Sequence, residues 1–416
     1  MNISSFIANR IAFNQQKSFS RFIIRLSTVA TVISVSVMII TMSFVNGFQD
    51  VVSEKVFSFW GHVRIGYRQP NKANIAEELP IAQNDTIVRQ VKAMPEVSSI
   101  HPFATKYAIL KTAEEMEGVM IKGLDKTYQF SHIQPSLKEG RWINFGDSSY
   151  SREIVISTST AEELKLKLND RILIYFIRSD GSMRPDKLTI VGIYKTGIEE
   201  YDKTFAIGDI KLIRRLNGWQ ENEIGGYEVF LKDYNKMDDV SKKIYDLPNF
   251  PRFNTQDIWV TRTIREIYPN IFDWLGIVRS NGDVLIWIVI VIVIINFITC
   301  LIILVLERVR MIGILKAVGA TNWAIQKIFL IHSALITITG ILLGTLISLG
   351  LIWLQMKEGI VKLKEAEYYM STAAVRVDWW QVGMVIGGTL GLSVLVLLIP
   401  SLLIRKIQPI RAIRFR

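Results

Sequence analysis

The sequence predicts a membrane protein with four transmembrane helices and a large α+β extracytoplasmic domain between the first and second helices. Three observations lead to this fold class. Half of the 416 residues are hydrophobic and mean hydropathy is positive. Four separate stretches are long and apolar enough to cross a bilayer, which takes about 20 residues. Between the first two of them lies one long polar block, residues 47–282, with room for a sizeable domain.

The four apolar stretches are predicted to be transmembrane helices. They cover residues 22–46, 283–306, 323–354 and 380–404. The second is the clearest, since no charged residue occurs from Val284 to Leu306. The first is rich in serine and threonine, and a cleaved signal peptide is its alternative interpretation. Its long apolar core and the lack of a small-residue cleavage site in "SFVNGFQD" favour an uncleaved anchor.

The distribution of charge predicts the orientation of these helices. Residues 1–25, 307–327 and 405–416 together hold 13 basic residues and 1 acidic residue, whereas the rest of the chain is almost neutral. The positive-inside rule places these three segments in the cytoplasm. The loop 355–379 carries four basic and four acidic residues, so it can lie outside. Both termini are then cytoplasmic and the polar block is extracytoplasmic.

The net charge of +11 is therefore a topology signal, with anionic membrane lipid as its counter-charge. The basic residues do not cluster on a soluble face, which argues against nucleic acid as a partner. The remaining segments are a cytoplasmic amphipathic helix at 1–21, a cytoplasmic coupling helix at 307–322, a short outer loop at 355–379 and a basic cytoplasmic tail at 405–416.

The polar block has a mixed helix and strand pattern. "QNDTIVRQVKAM" predicts a capped helix ended by Pro95, and "SIHPFATKYAIL" and "EGVMIKGL" predict strands. "REIVISTSTAEELKLKLNDRILIYFI" predicts a strand, a helix capped near Ser157 to Ser159, an Asn-Asp turn and another strand, and "RSDGSMRPDK" predicts a hairpin tip. "FNTQDIWVTRTIREIYPNIFDWLGIVRSNG" predicts a helix that runs into the second span and is kinked or broken at Pro269. The only cysteine, Cys300, lies in a span, so burial rather than disulfides must hold the domain together.

The sequence lacks the usual signatures of enzyme chemistry. It contains no G-x-x-x-x-G-K-[ST] phosphate loop, no H-E-x-x-H motif and no C-x-x-C motif, and no serine lies in a nucleophile-elbow sequence. The histidines are scattered and are interpreted as structural; they are His62, His101, His132 and His332. We therefore expect no catalytic residue, metal site or cofactor in this chain.

The predicted spans also lack the ionisable groups at membrane depth that an ion-driven pump needs. Only Arg25 and His332 lie within or near a span, both close to a cytoplasmic end. Glycines at fixed spacing instead allow helices to approach closely. Packing within one bundle is favoured over a dimer interface for these glycines, which are Gly340 and Gly344 in the third span and Gly383, Gly387 and Gly391 in the fourth.

The short segment between the second and third spans reads "LERVRMIGILKAVGATNWAIQKIF". Residues Arg310 to Val318 predict two helical turns, Gly319 suits a left-handed C-cap, and Thr321 can cap the next helix. A free interfacial helix would only anchor the chain. Held rigidly between two spans, this helix can also transmit force from a cytoplasmic partner.

The stretch "ERVRMIGILKAVGATNWAIQKIF" resembles the coupling segment of FtsX-like ABC-transporter permeases. Three further stretches resemble the lipoprotein-releasing LolC/LolE type within that family. They are "SSFIANRIAFNQQKSFSRFIIRLSTVATVISVSVMIITMSFVNGFQ", "EGRWINFGDSSYSREIVISTSTAEELKLKLNDRI" and "IPSLLIRKIQPIRAIRF". The resemblance covers nearly the whole chain and implies the MacB/LolE-like permease architecture.

The resemblance implies a permease subunit of an ATP-driven complex in the bacterial inner membrane. ATP and Mg²⁺ would bind to separate ABC ATPase subunits, so this chain would hold no cofactor and have no enzymatic activity. A second permease subunit, identical or related, would complete a cavity from which lipoproteins pass to a periplasmic carrier and the outer membrane. The large domain would then be periplasmic.

The resemblance also implies three groups of site residues. Contact with the ATPase is expected at Glu307, Arg308, Arg310, Gly313, Ile314, Lys316, Ala317, Gly319 and Ala320. A lipid or lipoprotein cavity is expected at Met42, Phe44, Val45, Phe48, Leu285, Ile286, Val289 and Ile290. Contact with the carrier is expected at Arg178, Arg184 and Pro185, in a segment, Arg178 to Lys187, that is shorter than the hairpin that hooks the carrier in this family.

Two alternative functions stay open. One is a related FtsX/MacB-like permease that transmits mechanical force, either to export a drug or peptide or to activate a cell-wall hydrolase. The other is a membrane-anchored scaffold or sensor whose outer domain binds a ligand. Co-purification with an ATPase separates transport from a scaffold, and bound lipoprotein separates lipoprotein release from the other transport function.

Overall fold

The computed structural model describes residues 19–69, 77–146, 150–177, 182–251 and 258–401. The predicted amino-terminal helix at 1–21 lies almost entirely outside the described residues, and the basic tail at 405–416 lies wholly outside them. The helices are α1 (Phe19–Trp60), α2 (Asp85–Lys92), α3 (Thr158–Glu163), α4 (Glu199–Thr204), α5 (Ile210–Asn217), α6 (Met237–Tyr245), α7 (Ile264–Ile267), α8 (Pro269–Glu307), α9 (Val309–Ala317), α10 (Asn322–Glu358), α11 (Glu365–Tyr368) and α12 (Trp379–Ser401). The strands are β1 (Val63–Tyr67), β2 (Ile81–Ala82), β3 (Val97–Lys111), β4 (Met116–Leu124), β5 (Leu137–Gly140), β6 (Glu153–Ser157), β7 (Arg171–Ile177), β8 (Met183–Tyr194), β9 (Phe205–Asp209), β10 (Glu223–Ile224), β11 (Gly226–Leu231) and β12 (Trp259–Thr263).

The chain divides into two compact units. The helical unit contains the described residues of Met1–Asp50, Leu275–Lys362 and Thr372–Arg416. The α/β unit contains those of Val51–Trp274 and Leu363–Ser371. The second unit therefore includes a short piece of the loop that joins the third and fourth apolar stretches, in addition to most of the polar block.

Four helices, α1, α8, α10 and α12, contain stretches that are long and apolar enough to cross a membrane. This confirms that all four predicted apolar stretches are helical. Three of the helices extend well beyond the predicted ends: α1 continues from residue 46 to Trp60, α8 begins at Pro269 rather than 283, and α10 ends at Glu358 rather than 354. Hydropathy marks only the apolar part of a helix, whereas backbone hydrogen bonding continues into polar sequence.

Small residues allow α1 to pack closely against α10. A Cβ atom at Gly340 would lie 2.8 Å from the Cβ of Thr31, and one at Gly344 would lie 2.8 Å from the carbonyl oxygen of Val32. Bundle packing is thus confirmed for these two glycines. It is wrong for the glycines of α12, because a Cβ atom there would meet no described atom within 4 Å; they are Gly383, Gly387 and Gly391.

The serines and threonines of α1 face neighbouring helices. Ser36 Oγ donates a hydrogen bond to the carbonyl oxygen of Gly344 at 2.9 Å, and Ser27 Oγ donates to Asn296 Oδ1 of α8 at 2.7 Å. Side-chain hydrogen bonds of this kind hold helices together in lipid. The low hydropathy of this stretch therefore reflects its packing inside the helical unit.

Pro269 breaks the helix that leads into the second apolar stretch, as predicted. Tyr268 is non-helical, and Pro269 is the first residue of α8, where its missing N–H group costs no hydrogen bond. The helix predicted before this point is wrong at Trp259–Thr263, which forms β12 and pairs antiparallel with β1. Trp259 and Thr263 are buried while Arg262 is exposed, so the side chains follow the alternation of a strand.

The α/β unit is built on a ten-stranded mixed sheet with the order β12-β1-β11-β3-β4-β9-β6-β8-β5, in which β7 pairs with β3 and β8. The pairs β4–β9 and β6–β8 are parallel. The predicted helix α2 is capped by Asn84, whose side chain accepts hydrogen bonds from the N–H groups of Thr86 and Ile87. Ser157 caps α3 in the same way, through the N–H group of Thr160.

Strands β7 and β8 form the predicted hairpin, but the predicted tip is too long. Pairing runs from Arg171 opposite Thr189 to Ile177 opposite Met183. Residues Met183 to Lys187 therefore belong to a strand rather than to the tip.

A buried charge pair fixes the last turn of α1 inside the α/β unit. Lys122 Nζ donates hydrogen bonds to Glu228 Oε2 at 2.8 Å and to the carbonyl oxygen of Phe59. Burial lowers the pKa of Lys122 to about 8, against the opposing effect of the Glu228 carboxylate. Removing one partner of such a pair costs about 3 to 5 kcal/mol, so the end of α1 is firmly held.

Candidate coupling surface and lipid path

The predicted coupling helix is present as α9. It begins at Val309, after a break at Arg308, and ends at Ala317. Gly319 adopts a left-handed conformation with φ of +93°, and the N–H group of Ala320 donates to the carbonyl oxygen of Leu315 at 2.9 Å. The predicted glycine cap is thus confirmed.

The next helix begins with the predicted cap as well. Thr321 Oγ1 accepts a hydrogen bond from the N–H group of Ala324 at 3.2 Å. Ile312 is fully buried and belongs to the same core as Ile325 and Phe329. Helix α9 is therefore held at both ends and along its inner face, which is what force transmission requires.

The outer face of this region is apolar. Val318 is 83% exposed, and three more large apolar side chains are exposed around it. We call these four residues the coupling face; they are Leu306, Ile314, Val318 and Trp323. Such an exposed apolar patch is typical of a surface that binds another protein.

The expected ATPase-contact residues are distributed around the same helix. Exposed members are Glu307, Arg310, Ile314, Ala317 and Gly319, whereas Arg308, Lys316 and Ala320 are half-buried and Gly313 is buried. Leu306, Val318 and Trp323 were not among the residues predicted from the sequence. They could have been recognised because they are large apolar residues in a charged segment and do not lie three or four residues from the buried Ile312.

The expected lipid-cavity residues lie where α1 and α8 pack together. Phe48 and Val289 are buried, with Val289 only 9% exposed. Leu285 is 40% exposed. The others are half-buried; they are Met42, Phe44, Val45, Ile286 and Ile290.

Contacts between α1 and α8 extend along both helices. A Cβ atom at Gly282 would lie 2.7 Å from Val45 Cγ2, and Gln49 Nε2 donates to the carbonyl oxygen of Leu275 at 3.4 Å. The side of α8 that faces away from α1 is the accessible one. That side carries a stripe of exposed apolar residues that the sequence analysis did not separate from the rest; they are Val284, Trp287, Ile288, Val291, Ile292 and Ile295.

The expected carrier-contact residues are described only in part. Arg184 and Pro185 lie in β8, opposite Phe176 and Tyr175. Arg178 lies outside the described residues. Near the described end of this hairpin, Ile177 and Met183 are exposed apolar residues that face each other across the strand pair.

The segment "VNGFQD" of α1 contacts the start of α12 and the residues just before it. Asn46 Nδ2 donates to Gln381 Oε1 at 2.6 Å, Asp50 forms an ion pair with Arg376, and a Cβ atom at Gly47 would lie 2.7 Å from the backbone of Val375. This stretch is part of the family resemblance, but its role could not be predicted from the sequence, because its partners are more than 300 residues away in the chain.

Among the described residues, no group of three or more histidine, cysteine or acidic side chains could hold a metal ion. His62 Nδ1 accepts a hydrogen bond from the N–H group of Leu231 at 3.1 Å, and His132 Nε2 lies 3.3 Å from Ser99 Oγ. These two histidines thus have structural partners.

Comparison with known proteins gives two family matches. Residues 26–247, more than half of the chain, match the MacB-like periplasmic core domain. Residues 284–409 match the carboxy-terminal region of FtsX-like permeases.

Similar proteins match almost end to end. The lipoprotein-releasing system transmembrane protein LolC of Neisseria meningitidis is 22% identical over 96% of both chains. The LolE protein of Haemophilus influenzae is 23% identical over 98% of both chains. Among solved structures, the periplasmic region of MacB from Actinobacillus actinomycetemcomitans covers 50% of this chain and 91% of its own, with 11% identity and a TM-score of 0.34. On the family matches, the chain belongs to the FtsX-like ABC-transporter permeases that carry a MacB-like periplasmic core domain.

Proposed function

We propose that this chain is a permease subunit of an ATP-driven complex that releases lipoproteins from the bacterial inner membrane and passes them to a periplasmic carrier. The observation that carries the proposal is the end-to-end similarity to proteins named as lipoprotein-releasing transmembrane subunits. The chain acts with a second permease subunit, identical or related, and with ABC ATPase subunits that bind ATP and Mg²⁺.

The coupling face supports the ATPase partner. Its four apolar side chains surround α9, which is locked to the helical core through Ile312. Binding of an ATPase at this face would therefore move α8 and α10 together, since α9 lies between them in the chain. No ATP needs to bind to this chain.

The length of α10 supports a transmembrane orientation. Trp323 and Trp353 are both exposed and are separated by a helical rise of about 45 Å, at 1.5 Å per residue. This rise matches a bilayer with its headgroup regions, about 40 to 45 Å thick, and tryptophan is enriched at both interfaces. We infer that Trp353 marks the periplasmic side and Trp323 the cytoplasmic side, where both termini also lie. Trp323 is thus the member of the coupling face that lies at the membrane, and Ile314 and Val318 carry the ATPase contact.

The energy of lipid transfer supports direct hand-over to a carrier. Each buried methylene contributes about 0.8 kcal/mol to membrane anchoring, so exposing three long acyl chains to water would cost on the order of 30 kcal/mol. The permease must therefore offer an apolar route. The exposed stripe of α8 provides one outside the closed seam between α1 and α8.

Purification of the full-length protein from its own membrane tests this proposal. We expect an ABC ATPase and acylated lipoprotein to co-purify and to be identified by mass spectrometry. An ATPase without lipoprotein would favour the force-transmitting function, and the absence of an ATPase would favour a scaffold or sensor.

Substitution in the coupling face tests the ATPase contact. The double variant Ile314→Glu/Val318→Glu should weaken ATPase binding by about 2 kcal/mol or more, the usual loss at a central interface residue. Met116→Glu is the matched control, because Met116 is equally exposed and apolar but belongs to the α/β unit. Equal recovery of ATPase with both variants would remove the coupling face from the interface.

The glycine cap of α9 offers a second test. Gly319→Val places a β-branched residue at φ of +93°, where only glycine is unstrained. We expect complex assembly or stimulated ATP hydrolysis to fall while the α/β unit stays folded. Full transport activity would exclude α9 from the mechanism.

A further inference from the structure

The loop between α10 and α12, residues 359–378, is a hairpin with a firmly closed stem. We call it the connector. The N–H group of Ala373 donates to the carbonyl oxygen of Val361 at 2.9 Å, and that of Leu363 donates to Ser371 at the same distance. Gln355 closes the base, since its Nε2 donates to the carbonyl oxygen of Ala373 at 3.0 Å.

The connector is anchored in the helical unit through α1. Arg376 forms the ion pair with Asp50 and also donates its backbone N–H to the carbonyl oxygen of Ser43 at 2.9 Å. Val375 packs directly on Gly47. The residues that flank the hairpin are therefore fixed to the helical unit and should move with α1, α10 and α12.

The head of the connector belongs instead to the α/β unit, which includes Leu363–Ser371. Glu365 Oε2 accepts a hydrogen bond from Lys195 Nζ at 2.6 Å. The carbonyl oxygen of Tyr369 accepts one from Lys55 Nζ at 2.6 Å, and the Tyr369 ring meets Trp274 edge to face at 5.4 Å.

The site that receives the head is built for close approach. Gly197 has φ of +76°, and a Cβ atom there would lie 2.4 Å from Lys55 Nζ and 2.8 Å from Glu365 Oε1. The charge of Glu365 also acts on both lysines of this site. The Glu365 carboxylate raises the pKa of Lys195, whereas burial lowers the pKa of Lys55, with Glu365 opposing that effect.

This arrangement changes how the two units are joined. The chain crosses from one unit to the other at Asp50–Val51 and at Trp274–Leu275, and the head adds two more crossings, one on each side of Leu363–Ser371. The first two crossings lie inside the continuous helices α1 and α8, so without a bound head only these two helices would join the units.

We propose that Lys55, Lys195 and Glu365 are positioning residues for transport, because they hold the connector head so that movement of α10 and α12 reaches the α/β unit. This inference rests on the proposed function. The Lys195–Glu365 pair is about 40% exposed on the lysine side and a third exposed on the glutamate side. An ion pair with that much exposure contributes little stability by itself, so it acts together with the contacts of Tyr369 to Lys55 and Trp274 in holding the head.

Charge reversal in the purified complex tests the proposal. The variants are Lys195→Glu, Glu365→Lys and the double exchange, with Glu365→Gln as a milder change that keeps the shape. Lys243→Glu is the matched control, since Lys243 also pairs with a glutamate in the α/β unit, Glu96 at 2.6 Å, and lies outside the segment whose exchange is measured. Each complex is assayed for ATP hydrolysis and lipoprotein release, and by hydrogen exchange of segment 195–204 with and without a non-hydrolysable ATP analogue.

We expect each single reversal still to hydrolyse ATP but to release about five-fold less lipoprotein per ATP hydrolysed. A change of about five-fold is at the lower end of the usual range for coupling between sites. The exchange response of segment 195–204 to nucleotide should be lost as well. The double exchange should recover part of both, because it forms the ion pair in reverse but leaves a lysine at position 365 next to Lys55. The control should behave like the unaltered complex. Should a single reversal fail to fold, Glu365→Gln should still reduce the exchange response.

The proposal is overturned if folded single variants keep the full exchange response, or if the double exchange responds no better than Glu365→Lys alone. The exchange measurement needs no lipoprotein. A complex that responds to nucleotide but releases no lipoprotein would therefore refute the proposed function and leave the positioning role intact.

Discussion

Gly47 in the middle of α1 supports a backbone contact that no side chain would allow. A Cβ atom there would lie 2.7 Å from the carbonyl oxygen of Ala374 and from the Cα of Val375. Alanine is normally preferred over glycine in a helix by about 1 kcal/mol, but overpacking costs about 1 to 3 kcal/mol. We expect Gly47→Ala to lower the melting temperature of the purified protein in detergent.

Gly350→Ala in α10 is the control for this substitution, because a Cβ atom at Gly350 would meet no described atom within 4 Å. It should leave the melting temperature unchanged or raise it. If both variants melt alike, the chain before α12 does not rest on α1 in the way described.

His62 predicts a pH dependence of stability. It stacks on Phe57, with ring centroids 4.4 Å apart, and burial lowers its pKa from 6.5 to about 4. Between these values the unfolded chain binds the proton and the folded chain does not, so stability is complete above pH 6.5 and falls as the pH drops toward 4. The loss from this residue alone is about 3 kcal/mol.

Urea unfolding at pH 7 and pH 5 measures this effect. His62→Asn keeps an acceptor oxygen for the N–H group of Leu231 but cannot titrate, so its stability should be lower at pH 7 and less dependent on pH. An unchanged slope in the variant would mean that another group accounts for the pH dependence.

At the scale of single elements, helix caps could be predicted because their signals are local, whereas the ends of the long helices could not, since hydropathy marks only their apolar part. Asn84, Ser157, Gly319 and Thr321 all occupy the predicted cap positions. Strand β12 could not, since its alternation is short and its partner β1 is almost 200 residues earlier in the chain. Pairing with β1 overrides the local preference for helix.

The faces of α8 also could not be predicted. Every residue from Val284 to Leu306 is uncharged and most are apolar, so no polar side distinguishes the packed face from the exposed one. Packing decides this, and it leaves Ile288 54% exposed while its neighbour Val289 is only 9% exposed.

These two neighbours give a sharp test of the lipid path. A photo-crosslinker at Ile288 should capture acylated lipoprotein in the nucleotide-free complex and lose it when ATP binds. The same group at Val289 should label α1 and little lipid in either state. Crosslinks from Ile288 to phospholipid alone, with and without ATP, would remove the exposed stripe of α8 from the lipid path and favour force transmission.

At the scale of the whole molecule, the α/β unit should fold without the long apolar helices. Its sheet lies entirely within Val63–Thr263, and the chain's only cysteine, Cys300, lies outside this unit. We expect residues 51–274, expressed alone, to unfold cooperatively at a temperature that added reductant does not change. A transition that shifts with reductant, or none at all, would contradict this description of the unit.

The sequence predicted a large domain at 47–282, between the first two apolar stretches, and the compact unit covers Val51–Trp274 of that range. The contribution of Leu363–Ser371 could not be predicted. It depends on contacts such as that between Lys195 and Glu365, which join residues far apart in the chain and leave no periodic pattern.

The connector head also sets an order of events during synthesis. Leu363 leaves the ribosome roughly ninety residues after Trp274, which takes about 5 to 20 seconds at ordinary rates of translation. During that interval the complete sheet exists, but the place beside Gly197 and Lys195 is still empty. If α10 spans the membrane in the proposed orientation, the head can reach that place only after α10 has been inserted in that direction. Docking of the head would then report, on one side of the membrane, that the third apolar helix has been inserted correctly.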